Sequence, residues 1–407
     1  MANPDKPAPG SAGPLAGLRV LDLGTMVAGP VACTLLADFG AEVIKVEQPG
    51  SGDTMRGLGP HIGGESLYWN VDNRNKKSVT IDLRRPAGQA LVKRLVERSD
   101  ALVENFRPGT MERWKLGYAT LAELRPALVM LSVSGFGQTG PYAQRAAYDR
   151  MALAFSGVMG LTGFADRAPV RTGISVADYT TACMGAFALM MALYHRDAKG
   201  GRGEHIDLAL YESMFRFTEV LTAAYDKLGI VRERRGNVHF AAAPGEHFRT
   251  SDDRYLILTI SGDTLFERLC AAMGRPELAR DPRYATHEQR WQQIQVLNDI
   301  VATWIRATPV EQVTGALEAH GIPFSLVLSI ADIVRDPQYA ARENIVTVDH
   351  ERLGPLKMQG VVPKLAGHAP RTIAAAPTLG QHTEEVLRGL LGLTQDEYAA
   401  LRADGVV

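Results

Sequence analysis

Asp178 is the side chain in this sequence best placed to act as a nucleophile. It stands just ahead of the most apolar run of the chain, Ala182–Tyr194. The spacing Ser175-x-x-Asp178 predicts a capping box at a helix start, with Asp178 at the third helical position. The same position suits chemistry. A helix N-terminus favours negative charge, so the carboxylate is expected to stay ionised even beside an apolar core. An ionised, partly desolvated carboxylate can attack a carbonyl carbon. From spacing alone both roles stand open, and capping is the plainer one.

Other segments carry weaker signals. Gly135-Phe136-Gly137-Gln138-Thr139-Gly140 matches GxGxxG, but Pro141 and the polar run to Asp149 do not read as the helix that a dinucleotide site needs directly afterwards. A glycine-rich loop shaping some other site is expected instead, with a nicotinamide oxidoreductase as a remote alternative. Asn73-Arg74-Asn75-Lys76-Lys77-Ser78 is a basic cluster suited to phosphates, or to a solvated turn. Glu104-Asn105-Phe106-Arg107-Pro108-Gly109 follows a strand, where ligands bind in open α/β sheets. There is no GxxxxGK[ST] and no GxSxG, which removes a P-loop and counts against a serine hydrolase. The ten histidines never take HExxH spacing, and the three cysteines, Cys33, Cys183 and Cys270, are never paired as CxxC. No metal site and no disulfide framework is expected, and a reducing, cytoplasmic setting is the natural one.

These residues need elements to hold them. Leu18–Leu23 reads as a strand, Val31–Phe39 as a helix closed by Gly40, and Ala41–Glu47 as a second strand. That βαβ unit predicts a parallel sheet. The rhythm continues with a strand over Ser78–Leu83, a helix over Pro86–Ser99, and strands over Ala101–Asn105 and Leu128–Ser134. A helix spans about Tyr179–His195, and His205–Ala209 is strand-like. Ala182–Tyr194 is too short to cross a membrane and reads as a buried core helix. After Met214 the rhythm weakens, and Arg232–Gly245 has the composition of a linker or site loop. Tyr255–Ile260 and the helices that follow suggest a smaller α+β domain, and His382–Val407 a helical pair.

The chain has 407 residues and a net charge of -1, with 46% hydrophobic and 22% charged residues. Two domains are expected for that length. The near-neutral balance argues against a general nucleic-acid binder, which needs a basic surface. The opening MANPDKPAPGSAGP is rich in Pro, Gly and Ala and predicts a disordered tail over 1–14. It has no signal-peptide core, and neither membrane nor nucleic acid is expected as a partner.

Taken together, Leu18–Gly29, Gly50–Asp53, Asn75–Ser78, Val103–Gly109, Gly135–Gly137, Gly380–Leu387 and Ala403–Val407 occur in an order that resembles the class III CoA transferases, the family of formyl-CoA transferase, carnitine CoA transferase and α-methylacyl-CoA racemase. The resemblance implies a large doubly wound Rossmann-like domain over 15–225, a smaller α+β domain over 226–330, a return to the large domain over 331–407, and an interlocked homodimer. It favours Asp178, which follows a Pro169–Gly173 segment, as the catalytic aspartate. It also implies that Val27, Ala28, Lys76, Asn105, Phe106 and Arg113 line the path of coenzyme A. Tyr148 and Gly137 would lie near the substrate.

The racemases of that family carry a His-Asp pair where this chain has Tyr148-Asp149, so one proton-shuttling base is missing and transfer is preferred to racemisation. The chain also departs from the formyl-CoA transferases. Val27 and Gln48 replace a glutamine and an arginine, and Ala241–Gly245 stands where they carry a glycine run, a stiffer candidate for a lid. The reaction implied moves CoA from an acyl-CoA, with succinyl-CoA favoured, to a small dicarboxylic acid such as malate, citramalate, mesaconate, itaconate or glutarate. It would run through an aspartyl anhydride and an aspartyl-CoA thioester, with no resident cofactor. Arg56 and Arg171 are candidates for the distal carboxylate. Backbone amides at the start of the Asp178 helix and in the glycine-rich loop are candidates for stabilising oxyanions. The alternatives are an α-methylacyl-CoA racemase or epimerase, and a non-catalytic acyl-CoA-binding protein.

Overall fold

The computed structural model describes residues 13–239, 241–368 and 373–407; all of the expected tail except Gly13 and Pro14 lies outside them. The chain divides into two compact units. One comprises the described residues up to Met159 together with Arg171–Val231 and Ala341–Val407; the other comprises Gly160–Val170 and Arg232–Ala340. The divisions fall at Val231/Arg232 and Ala340/Ala341 rather than at 225/226 and 330/331. Gly160–Val170, for which no separate place was expected, belongs with the second unit.

The first unit is built on six parallel strands: β1 (Arg19–Asp22), β2 (Glu42–Glu47), β3 (Lys76–Thr80), β4 (Ala101–Glu104), β5 (Val129–Ser134) and β6 (His205–Ala209). Their order across the sheet is β3-β2-β1-β4-β5-β6. This is a doubly wound order, which reverses direction between β1 and β4 and opens a crevice at their carboxyl ends.

Successive strand residues point to opposite faces, and both faces are apolar. Val20, Val43, Val103 and Leu131 pack under the helices α1 (Ala28–Asp38) and α6 (Val176–Lys199). Leu21, Ile44, Leu102 and Met130 pack under α2 (Pro86–Glu97) and α4 (Tyr118–Leu124), with Val386, Leu387 and Tyr398 from the C-terminal segment joining them. That segment returns alongside β3: the His382 amide donates to the Ser78 carbonyl at 2.9 Å.

The apolar helix is longer than its sequence suggests. α6 has 24 residues, and it has the length and apolarity of a membrane span by composition. In this fold Ala177, Thr181, Ala182, Gly185, Leu189, Ala192 and Leu193 form its buried stripe. Gly185 lets it lie close to the sheet, since a Cβ there would come within 2.8 Å of Leu131 Cδ2.

The second unit holds a three-stranded antiparallel sheet, β7 (Gly245–Arg249), β8 (Tyr255–Thr259) and β9 (Phe324–Leu326), in the order β9-β8-β7. Phe248, Leu256 and Leu258 of this sheet pack with Phe266, Leu297, Val301 and Leu317 from its helices. Gly160–Val170 is tied into this unit by Arg234, whose guanidinium donates to the carbonyls of Phe164, Gly160 and Arg167 at 3.3, 3.1 and 3.1 Å. Gly236 lies against Phe164: a Cβ there would come within 2.6 Å of the ring.

Candidate active site

Asp178 sits in the first turn of α6, at the third helical position. Its helix is not capped as the sequence suggests, because Ser175 makes no side-chain capping bond. The cap comes from Asp149, the first residue of α5 (Asp149–Phe155). Asp149 Oδ1 accepts the Ala177 amide at 2.7 Å and the Asp178 amide at 3.3 Å. Tyr179 fixes the same turn from another side, donating its hydroxyl to Asp72 Oδ2 at 2.8 Å.

The electrostatics also differ from expectation. Burial, and after it the Asp149 charge, push the Asp178 carboxyl up to about 7. The helix N-terminus does not outweigh these two causes, and the Ala177 and Asp178 amides are bonded to Asp149. At neutral pH the group divides between an ionised carboxylate and a neutral acid. Asp149 is itself buried, and its Oδ2 has no hydrogen-bond partner.

A cleft of about 230 Å³ opens at the carboxyl ends of β1–β4. Its walls include Gly24 and Thr25 after β1, Gln48 and Gly52 after β2, Arg84 after β3, and Phe106 with Trp114 after β4. The rings of Phe106 and Trp114 meet edge to face at 5.0 Å. Asn105 joins the two central strands at the reversal point: its Oδ1 accepts the Thr25 amide at 2.7 Å and its Nδ2 donates to the Thr25 carbonyl at 2.8 Å. Val27 and Ala28, at the start of α1, are buried in the same apolar cluster as Ala177. α1 reaches this close because Gly24 and Gly29 face each other; a Cβ on Gly24 would meet the Gly29 Cα at 3.3 Å.

The structure thus groups Asn105 and Phe106 at the cleft and buries Val27 and Ala28 in the apolar cluster that also holds Ala177, the neighbour of Asp178. Several other expected residues are not among those lining this cleft. Lys76 does not present its ammonium to a phosphate: it is buried, and its Nζ donates to Asp22 Oδ2, the Pro30 carbonyl and Asn73 Oδ1 at 2.8, 2.7 and 2.8 Å. An ammonium has three donors, and all three are used inside the fold. Arg56 is likewise occupied, gripping Glu47 with two bonds of 2.7 and 2.8 Å and stacking over Trp69 at 3.6 Å. Arg113 donates to Thr110 Oγ1 at 2.8 Å. Arg171 is exposed and reaches the Gly173 carbonyl at 3.3 Å. Tyr148 precedes α5 and is 66% exposed.

The amides expected to meet an oxyanion are also committed. Ala177 and Asp178 give theirs to Asp149, Gly137 gives its amide to Ser134 Oγ at 2.9 Å, and Gln138 gives its amide to Asp207 at 3.0 Å. Ala241–Gly245 belongs to the second unit and is held there: Ala243 bonds through its amide to Ile260 and through its carbonyl to Arg290, and the Gly245 amide donates to Asn298 Oδ1 at 3.1 Å. Those bonds weigh against a freely swinging lid.

Three contributors are absent from the sequence-based set. Asp149 was readable only as the second member of the Tyr148-Asp149 pair. Lys45 lies inside the apolar run of β2, where its ammonium, buried between Asp22 and Asp53 at 3.6 and 2.8 Å, ties the end of β1 to the loop after β2. Trp114 lies just beyond the Val103–Gly109 motif and supplies the second aromatic wall.

A family profile described as CoA-transferase family III matches residues 15–383. The succinyl-CoA–D-citramalate CoA-transferase of Chloroflexus aurantiacus is 44% identical over 395 residues, covering 97% of this chain and 98% of its own. The succinyl-CoA:glutarate CoA-transferase of Mus musculus is 34% identical, covering 97% of this chain and 90% of its own. A crystal structure of a CaiB/BaiF family protein from Brucella suis superposes with a TM-score of 0.84 at 33% identity, covering 93% of this chain and all of the other.

Proposed function

The chain belongs to CoA-transferase family III and is a CoA-transferase, and from that premise we propose that it moves coenzyme A from succinyl-CoA to a small dicarboxylic acid, with Asp178 as the nucleophile. The observation that carries this is the Asp178 carboxyl at the start of α6, partly buried and poised near neutrality. The choice of acids draws on the relatives, which act on succinyl-CoA with citramalate, malate or glutarate.

In the proposed reaction the ionised Asp178 attacks the thioester carbonyl and the CoA thiolate departs, leaving an aspartyl–succinyl anhydride. The thiolate then attacks the aspartyl carbonyl, which frees succinate and leaves an aspartyl-CoA thioester. The acceptor carboxylate attacks that thioester, expels the thiolate again and forms a second anhydride. Attack of the thiolate on the acceptor's acyl carbon yields the new acyl-CoA and regenerates Asp178. The Phe106–Trp114 cleft takes the nucleotide end of the coenzyme, with Arg84 on its wall for phosphate. Val27 and Ala28 guide the pantetheine toward α6. Arg171, exposed and donating to the Gly173 carbonyl, remains the candidate for the distal carboxylate; Arg56, already paired with Glu47, does not.

We assign the working form as a homodimer, interlocked as the resemblance implies. Phe187, Met191 and Tyr194 stand exposed along one side of α6, an apolar stripe that a second copy would cover. Free Cys33, Cys183 and Cys270 fit a reducing, cytoplasmic setting.

The test is Asp178→Ala. The variant should fold and bind CoA, transfer should fall by at least a thousandfold, and hydroxylamine should trap an adduct on Asp178 in the unaltered chain only. Transfer near the normal rate in the variant overturns the assignment.

A further inference from the structure

Glu104 ends β4, one residue before the Asn105–Phe106 loop, and it is only 3% exposed. Its Oε2 accepts the Phe106 amide at 2.8 Å. Ser132, its partner in register on β5, faces the same carboxyl within reach of donating to it. Ser132 Oγ in turn lies 2.9 Å from His205 Nε2 on β6. His205 is on the edge strand, exposed, and stacked on Tyr118 of α4 at 5.1 Å. A row of three side chains therefore crosses three adjacent strands, from beneath the cleft loop to the protein surface.

The row constrains where protons sit. A serine hydroxyl has one proton to give. When Ser132 gives it to an ionised Glu104, His205 must donate its Nε2–H to Ser132. When Glu104 is protonated, the hydroxyl can turn and donate to an unprotonated Nε2. The charge on Glu104 and the tautomer of His205 are thereby linked. The ionisable groups facing Glu104 are Glu112 of α3 (Thr110–Arg113) and Asp207 of β6, with His205 and Tyr118 at the outer end of the row. Burial first, and then Glu112 and Asp207, push the Glu104 carboxyl up to about 7, while burial lowers His205. Glu104 thus changes form near neutral pH. An ionised carboxylate holds an amide about twice as strongly as a neutral acid does.

We infer that Glu104 is a positioning residue for the coenzyme, its carboxylate fixing the Asn105–Phe106 loop at the cleft and the Ser132–His205 row connecting that carboxylate to solvent. This rests on the cleft being the coenzyme site. Coenzyme affinity then rises as pH goes from 6 to 8, because the ionised form is the one that secures the loop. A buried negative charge acting simply by repelling the anionic coenzyme would give the opposite sign.

Calorimetric titration of the full chain with CoA between pH 6 and 8 decides the matter, with variants compared to the unaltered chain at each pH so that titration of CoA itself cancels. In Glu104→Gln the affinity at pH 8 should drop severalfold, the pH dependence seen relative to the unaltered chain should disappear, and KM for acyl-CoA should rise by a larger factor than kcat falls. Ser132→Ala removes a donor to the carboxylate, so it should keep the dependence and move its midpoint to higher pH. It also serves should the glutamine variant not fold. Three results overturn the inference: pH dependence that survives Glu104→Gln, an unmoved midpoint in Ser132→Ala, or affinity that falls with rising pH. No CoA binding by the unaltered chain at any pH would instead overturn the coenzyme site itself.

Discussion

At the scale of single residues, the pair Asp149 and Asp178 places one carboxylate where it must oppose the ionisation of the other. Asp149 caps α6 and so fixes where Asp178 stands, while its charge helps keep the Asp178 carboxyl near 7. Asparagine at 149 keeps an acceptor oxygen for the Ala177 amide and removes the charge. If Asp178 must be ionised to attack, kcat/KM rises with pH through about 7 in the unaltered chain. Asp149→Asn should move that rise to lower pH by roughly half to one unit, since burial, the larger cause, stays in place. A pH–rate profile checks this, and an unmoved limb would show that Asp149 acts only as a cap. Asp178 was legible in the sequence because a carboxylate just before an apolar helix is a local pattern. Its true cap was not, because Asp149 arrives from 29 residues away in sequence.

At the scale of elements, the parallel strands were legible as short apolar runs between helices. The buried charges within them were not. Lys45 sits unmarked inside the run Val43-Ile44-Lys45-Val46, and Lys76 opens β3 beside a second lysine in a cluster that reads as phosphate-binding or a solvated turn. In the fold they flank Asp22 on β1, one from each of the two strands on the same side of it. Neighbours in a sheet are set by strand order, which local spacing does not encode. Lys76→Ala strips the buried Asp22 of its closest cation and should cost roughly 3–5 kcal/mol of stability, as expected for one half of a buried pair. Urea unfolding measures that loss. A variant of normal stability with weakened coenzyme binding alone would return Lys76 to a ligand role. The hairpin β10 (Ile345–His350) and β11 (Gly354–Gln359) was also missed. Its residues are too mixed to alternate cleanly.

At the scale of the whole molecule, the proposed dimer has a direct measure. Sedimentation equilibrium at micromolar concentration should give twice the 44.1 kDa chain mass, and a chain that sediments singly would leave the α6 stripe of Phe187, Met191 and Tyr194 without its cover. The division of the chain into units was only partly legible, because Gly160–Val170 has no composition that marks it as belonging with residues far downstream. It is joined to them by three carbonyls turned toward one arginine. The polypeptide consequently passes between the two bodies four times, at 159/160, 170/171, 231/232 and 340/341. Protein engineers who cut out 232–340 as a stand-alone piece would leave Arg234 reaching for missing oxygens and Gly236 facing an empty slot where a phenyl ring belongs. A faithful excised version requires the eleven-residue stretch 160–170 to be supplied as a second peptide or spliced on through a linker, which makes split-chain complementation the natural route to it.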